Sequence, residues 1–267
     1  MLELSSSQEN LIAIENVTHA YRKDGQALPV LEDLTLGVPQ HGFTAVVGPS
    51  GCGKSTLTRL IAGLMRPDEG AVRLHGEQVV SPRSTVGMAF QNPVLLEWRS
   101  ILKNVLLPLE IVPTSLSKQG AEDRARHLLH LVGLAGFEDK RPSELSGGMR
   151  QRASLCRALI HNPDVLILDE PFGALDAFTR EDLWLTMHKL RAEEPFTGIL
   201  ITHDLRESIF LADEVVVLSD RPATVQHRVA LTREGPPSLD QLYTNQSISI
   251  LNELREQIRI ARNGAEV

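Results

Sequence analysis

A glycine-rich loop at residues 48–55 constrains the fold of this chain more than any other stretch. Its sequence, Gly-Pro-Ser-Gly-Cys-Gly-Lys-Ser, matches the pattern G-x-x-x-x-G-K-[ST]. The apolar run 43–47 before it predicts a buried strand, and the periodic apolar residues of 56–64 after it predict a helix. Glycines allow the backbone N–H groups of such a loop to turn inward and form an anion site at the helix N-terminus. The loop therefore predicts a strand–loop–helix unit that binds nucleotide phosphates.

The polar groups of this loop have predicted roles in binding ATP. The ammonium of Lys54 would contact the β- and γ-phosphates, and the hydroxyl of Ser55 would bind Mg²⁺. The other members of the predicted nucleotide site here are Gly48, Pro49, Ser50, Gly51, Cys52, Gly53 and Thr56. The simpler alternative is a glycine turn at the start of an ordinary helix, and the matching strand and helix on either side argue against it.

A second informative stretch runs from Val165 to Glu170. Four apolar residues followed by two acids predict a buried parallel strand with carboxylates at its C-terminal edge, where ligands bind in open α/β sheets. We expect Asp169 to join the Mg²⁺ shell and Glu170 to polarise a water near the γ-phosphate. The alternative is a solvated acidic strand end, and the phosphate loop upstream favours the catalytic interpretation.

The remaining elements predict an α/β chain with a helical insertion. Further strands are predicted at residues 11–17, 31–38, 71–75, 85–90, 198–202 and 213–218, and helices at 176–189 and around 248–258. Residues 92–158 are predicted to be mostly helical, which indicates a subdomain. We expect an ATPase domain at 1–237, a linker at 233–237 and a helical tail at 238–267. Trp98 and Trp184 are predicted as packing residues.

Composition excludes several classes of protein. The formal charge of −7 argues against a broad nucleic-acid footprint, and two cysteines are too few for a disulfide framework. We therefore expect a reducing compartment. No apolar run approaches 18 residues, and the start resembles no signal peptide, so any contact with a membrane is expected through a partner.

Taken together, these residues resemble the ATP-binding subunit of an ABC transporter, from the first strand to about residue 225. The matching motifs are the Walker A loop (Gly48 to Ser55), the glutamine loop (Gln91), the signature (Leu145 to Gly148), Walker B (Val165 to Asp169), the catalytic glutamate (Glu170), the D-loop (Ala174 to Asp176), the switch histidine (His203) and the aromatic A-loop position (Tyr21).

The resemblance implies both a fold and a set of roles. The fold would be a P-loop NTPase core, a mostly parallel sheet flanked by helices, with an N-terminal antiparallel β region and a helical subdomain. Tyr21 would stack on adenine, Gln91 would bind Mg²⁺ and link the site to the subdomain, and His203 would sense the γ-phosphate. Further nucleotide contacts, with the signature reaching ATP held by the opposite subunit, would come from Ser146, Gly147, Gly148 and Asp176.

Three stretches are similar to the nitrate, sulfonate and taurine importer branch: residues 91–105, 145–152 (LSGGMRQR) and 169–176 (DEPFGALD). Met149 departs from the glutamine found in many members. The implied partners are a second copy, membrane permease subunits and, indirectly, a solute-binding protein, at the cytoplasmic face of the inner membrane. The solute itself is left open. Two alternatives are a soluble ABC ATPase acting on ribosomes or DNA, and a nucleotide-binding module without turnover.

Overall fold

The computed structural model describes residues 10–23, 25–233 and 235–263. Residues 1–9 and Asp24 of the predicted ATPase domain, Glu234 of the predicted linker and the last four residues of the predicted tail lie outside the described residues. The strands are β1 Asn10–Lys23, β2 Gln26–Pro39, β3 Phe43–Val47, β4 Glu69–Leu74, β5 Glu77–Gln78, β6 Val86–Phe90, β7 Val165–Asp169, β8 Thr197–Ile201, β9 Glu214–Leu218 and β10 Val225–Ala230. The α-helices are α1 Lys54–Ile61, α2 Ile101–Leu106, α3 Lys118–Leu131, α4 Gly147–Leu159, α5 Ala177–Glu193, α6 Leu205–Leu211 and α7 Asn245–Asn263.

Two sheets organise the chain. The first is antiparallel with strand order β2-β1-β4-β5, which confirms the predicted N-terminal antiparallel region. The second has strand order β10-β9-β3-β8-β7-β6, and all its pairs are parallel except β9 with β10. Every residue of β3 and β8 is buried, as expected of parallel strands covered on both faces.

The central sheet brings the predicted site together at one edge. Phe90 of β6 pairs with Asp169 of β7, and Asp169 pairs with Ile201 of β8. The residues that follow these strands therefore emerge side by side, next to the loop that joins β3 to α1. This is the carboxyl edge at which ligands bind in α/β sheets.

The insertion between β6 and β7 contains α2, α3 and α4, as predicted. Ala125, Leu128 and Leu129 form the buried apolar face of α3, and Val132 just after the helix is also buried. Trp184 on α5 is also buried, in agreement with the prediction for a packing residue. Trp98 is 73% exposed, so the packing prediction was wrong for this residue.

Other comparisons with the predictions concern the first strand, the last strand and the last helix. Tyr21 was expected outside the first strand but lies within β1, because β1 extends to Lys23 and Tyr21 pairs with Leu28 of β2. The sequence patterns also missed β10, an antiparallel edge strand whose residues are only partly buried. The predicted final helix is present as α7, with Leu254 and Ala261 buried.

Candidate active site

A cavity of about 460 Å³ opens at the carboxyl edge of the central sheet. It is lined by Tyr21, Val30, Ser50, Gly51, Gly53, Lys54, Ser55, Thr56, Glu170, His203 and Arg221. The structure thus brings the phosphate loop together with Tyr21, Glu170 and His203, which are far apart in the sequence. The size is within the range of small-ligand sites.

The phosphate loop depends on glycine at position 53, immediately before α1. Gly53 has a φ of +127°, a conformation that side chains rarely adopt. A Cβ at this position would lie 2.9 Å from Leu31 Cδ2 and 2.9 Å from Val30 Cγ1. The glycine therefore lets the loop pack against the neighbouring β2 strand while α1 begins.

The ammonium of Lys54 lies inside the phosphate loop. It donates to the carbonyl oxygens of Gly48 at 2.9 Å and Pro49 at 2.8 Å, and the residue is only 7% exposed. The thiol of Cys52 is fully buried, 4.0 Å from the same ammonium, and burial raises its pKa. Only the backbone of Cys52 is therefore available to a phosphate, while Lys54 provides a cation held beside the loop amides.

Oxygen ligands suited to Mg²⁺ lie beside this loop. The Asp169 carboxylate accepts a hydrogen bond from Thr58 Oγ1 at 3.5 Å. Burial and the charge of Glu170 raise the pKa of Asp169, while a hydrogen bond with the Ser55 hydroxyl lowers it. Ser55, Asp169 and Gln91 line an adjoining cavity of about 650 Å³. Among the described residues, no cluster of three or more His, Cys, Asp or Glu forms a metal site. A hydroxyl, a carboxylate and an amide fit Mg²⁺, which usually takes few protein ligands and completes its shell with phosphates and water.

Glu170 and His203 form a pair at the opening of the cavity. Glu170 has a φ of +50°, a left-handed conformation uncommon for residues with a side chain, and its N–H donates to the Ile201 carbonyl at 2.9 Å. His203 Nδ1 lies 3.4 Å from Glu170 Oε2. Such strained backbone recurs at active sites, where the surrounding structure holds the side chain in position.

Tyr21 lies on the other side of the cavity, on β1. Its hydroxyl is 3.2 Å from Thr56 Oγ1 and donates to Met65 Sδ at 3.6 Å. Its ring meets the ring of His19 edge to face at 5.3 Å. These contacts hold the ring in the cavity wall, and its stacking on adenine stays a prediction.

The signature residues and Asp176 do not line this cavity. Ser146 begins α4, where its Oγ accepts from Met149 N at 3.3 Å, and Asp176 begins α5 by accepting from Thr179 N at 3.1 Å. A Cβ at Gly148 would lie 2.3 Å from Thr179 Cγ2. The start of α4 therefore packs against the start of α5, away from the phosphate loop of the same chain.

Two features of the site were missed by the sequence patterns. Arg221 lines the cavity, and its Nη2 would lie 3.0 Å from a Cβ at Gly51. Arg157 on α4 donates to the carbonyls of Pro93 at 2.7 Å and Val94 at 2.9 Å, and so holds the segment after Gln91. Neither arginine belongs to a motif, so only the fold reveals its position.

In the part of the chain that the structure describes, every helix is too short or too polar to span a membrane.

This chain is similar in sequence to several known proteins. The family model described as ABC transporter matches residues 31–173. An uncharacterised ABC transporter ATP-binding protein of Methanocaldococcus jannaschii is 38% identical over 248 residues, 92% of each chain. A taurine import ATP-binding protein of Yersinia pestis is 44% identical, covering 79% of this chain and 84% of that protein. An aliphatic sulfonates import ATP-binding protein of Rhodococcus jostii is 44% identical, covering 84% and 86%.

Solved structures extend the comparison to the fold. A dimeric ATP-binding cassette in a post-hydrolysis state, bound to ADP and Pi, superposes with a TM-score of 0.73 at 28% identity. The alignment covers 84% of this chain and all of that chain.

Proposed function

Because this chain belongs to the ABC transporter family as an ATP-binding protein, we propose that its ATP hydrolysis drives import of a small sulfonate or related solute through a membrane partner. The sulfonate class rests on the taurine and aliphatic sulfonates import relatives. The same relatives give no support to a soluble ATPase acting on ribosomes or DNA. The chain would work at the cytoplasmic face of the membrane, next to permease subunits that receive the solute from a solute-binding protein.

One observation carries the proposal: the cavity contains the phosphate loop, Glu170 and His203, but not the signature residues. In the proposed site, Ser146 and Gly148 of a second copy complete the contacts to ATP. Dimeric cassettes among the similar structures support this arrangement. Two ATP molecules would lie between two copies, each held by one phosphate loop and the facing signature.

Within each site the residues divide the work of hydrolysis. Lys54 and the loop amides bind the phosphates, and Ser55, Asp169 and Gln91 would hold Mg²⁺, which neutralises developing phosphate charge. Glu170 orients the attacking water and accepts its proton, while His203 contacts the γ-phosphate. The left-handed backbone of Glu170 fixes its carboxylate at the cavity opening.

Exposed apolar side chains in and beside the insertion support a membrane partner. We call Phe90, Val94, Trp98 and Ile111 the insertion patch, because each is a large exposed apolar side chain and all four lie between residues 90 and 111. Apolar patches on a protein surface mark interaction sites. Phe90 and Val94 line the adjoining cavity together with Gln91 and Glu170, so this part of the insertion patch borders the predicted Mg²⁺ side of the site. A permease helix on this patch would be coupled to nucleotide through Gln91.

Growth on defined sulfur sources tests the proposal. We expect a strain of the source organism carrying Lys54→Ala to grow on sulfate but not on taurine or short alkanesulfonates. Trp98→Asp should block growth on the sulfonate while the purified protein keeps its ATPase activity. Val80→Asp is the matched control, because Val80 is exposed outside the insertion patch. Normal sulfonate growth of the Lys54→Ala strain would contradict the proposal.

A further inference from the structure

Arg180 on α5 connects two loops that frame the nucleotide site. Its Nη1 donates to Asp204 Oδ2 at 2.9 Å, and its Nη2 donates to the Leu175 carbonyl at 2.9 Å. Asp204 directly follows His203, and Leu175 directly precedes Asp176. We propose that Arg180 is a positioning residue that holds the Asp176 loop and the His203 loop in one fixed arrangement, so that both reach their nucleotide contacts together. The inference rests on ATP hydrolysis by this chain and is independent of the solute.

Both oxygens of the Asp204 carboxylate accept hydrogen bonds. Oδ2 accepts from Arg180, while Oδ1 accepts from the backbone N–H of Arg206 at 2.9 Å and of Glu207 at 3.4 Å at the start of α6. The N–H of Asp204 donates to Thr202 Oγ1 at 3.0 Å. Asp204 is therefore held by Arg180, by the start of α6 and by Thr202. Among these contacts, the one with Arg180 connects Asp204 to the Asp176 loop.

The surroundings make this contact stronger than a surface ion pair. The side chains of Arg180 and Asp204 are about three-quarters buried, and Glu207 beside them is 2% exposed. Burial and the charge of Asp204 raise the pKa of Glu207, while the charge of Arg180 lowers it. A charge-assisted hydrogen bond in a partly dehydrated site is stronger than a neutral one.

The planar fork of arginine suits this position. One guanidinium reaches a carboxylate on one loop and a carbonyl on another, each from a different terminal nitrogen. The single ammonium of a lysine on a flexible stem is poorly suited to hold both acceptors in that geometry. A lysine would preserve the charge but not the connection between the loops.

A second ion pair joins α5 and α6 and contacts neither the Asp176 loop nor the His203 loop. Arg206 Nη2 on α6 lies 3.3 Å from Glu181 Oε1 on α5. If Arg180 served only to join α5 to α6, the loss of Arg206 would have a comparable effect. Arg206→Gln is therefore the matched control for Arg180→Gln.

The experiment compares Arg180→Gln, Arg180→Lys and Arg206→Gln in the full chain, by ATPase kinetics at high protein concentration, ATP affinity and thermal unfolding. We expect both Arg180 variants to lower kcat about tenfold to hundredfold, which corresponds to about 1.4–2.7 kcal/mol in the barrier. Their ATP affinity should stay near the wild-type value, because the phosphate loop is untouched. Arg206→Gln should keep wild-type kcat. Asp204→Asn retains an oxygen that accepts from the backbone N–H groups at the start of α6. The double variant Arg180→Gln/Asp204→Asn should therefore have a kcat only slightly lower than that of Arg180→Gln.

Three results would overturn the proposal. These are wild-type kcat in Arg180→Gln, full rescue by Arg180→Lys, or an equal loss of kcat and stability in Arg206→Gln. The readout is ATP turnover in vitro, so failure here is distinct from failure of the sulfonate assignment, which is read by growth.

Discussion

Gly148→Ala should strain the contact between α4 and α5 before any nucleotide is involved. The new Cβ would lie 2.3 Å from Thr179 Cγ2, whereas carbon atoms in contact are normally about 3.5–4.0 Å apart. Thr179 is β-branched, so moving its methyl group away requires a change of χ1 rotamer in the first turn of α5. Overpacking of this kind costs about 1–3 kcal/mol, against a gain of up to about 1 kcal/mol when alanine replaces glycine in a helix.

The test is a double-mutant cycle with Thr179→Ser, which removes the clashing methyl group and keeps the hydroxyl. Urea unfolding should show that Gly148→Ala lowers the free energy of unfolding in wild type by about 1 kcal/mol. In the Thr179→Ser background the same change should be neutral or stabilising. ATPase activity need not return in the double variant, because Gly148 is also predicted to contact ATP on the opposite copy. An equal loss of stability in both backgrounds would refute the steric argument.

Three further predictions concern single side chains around the site. Tyr21→Ala should weaken ATP binding by about 1–3 kcal/mol if its ring stacks on adenine, and Tyr21→Phe, which loses only the hydroxyl contacts with Thr56 and Met65, should bind nearly normally by calorimetry. Arg221→Gln should weaken ATP binding without changing the melting temperature, since the guanidinium lines the cavity beside Gly51; unchanged affinity would remove it from the site. The pKa of Glu207 is raised in the folded state, so its ionisation disfavours folding increasingly as pH rises above the unfolded value of about 4.3. Glu207→Gln should therefore stabilise the protein more at pH 8 than at pH 5 in urea unfolding, and an equal effect at both pH values would contradict this.

The sequence was most informative where short apolar runs lie between turn signals. Residues 43–47 were predicted with the bounds that β3 has, and the strand predicted from Val165 begins where β7 begins, because strands buried on both faces are continuously apolar. The edge strand β10 was missed because its partly buried residues carry no such pattern. Tyr21 was placed outside β1 because the strand is extended by pairing across the hairpin, a tertiary effect.

The sequence motifs predicted most of the residues that line the cavity, but not the contacts around them. No local sequence pattern distinguishes Arg221 or Arg180 from other arginines. The exposure of Trp98 was also missed, since an aromatic side chain in a helical region is most often a packing residue. The contact of Gly148 with Thr179 could not be predicted, because it requires knowing that α4 and α5 begin side by side.

The central claim is that two copies close around ATP and that Glu170 then acts on water. The most direct test is the molar mass of Glu170→Gln with ATP and Mg²⁺, measured by size exclusion with light scattering. The amide should stop hydrolysis without removing the phosphate loop, and it deletes a negative charge near the γ-phosphate. We predict twice the mass of one chain, and a return to one chain mass when Ser146→Arg is added. A Glu170→Gln protein that stays at one chain mass with saturating ATP, or that still hydrolyses ATP rapidly, would contradict the account.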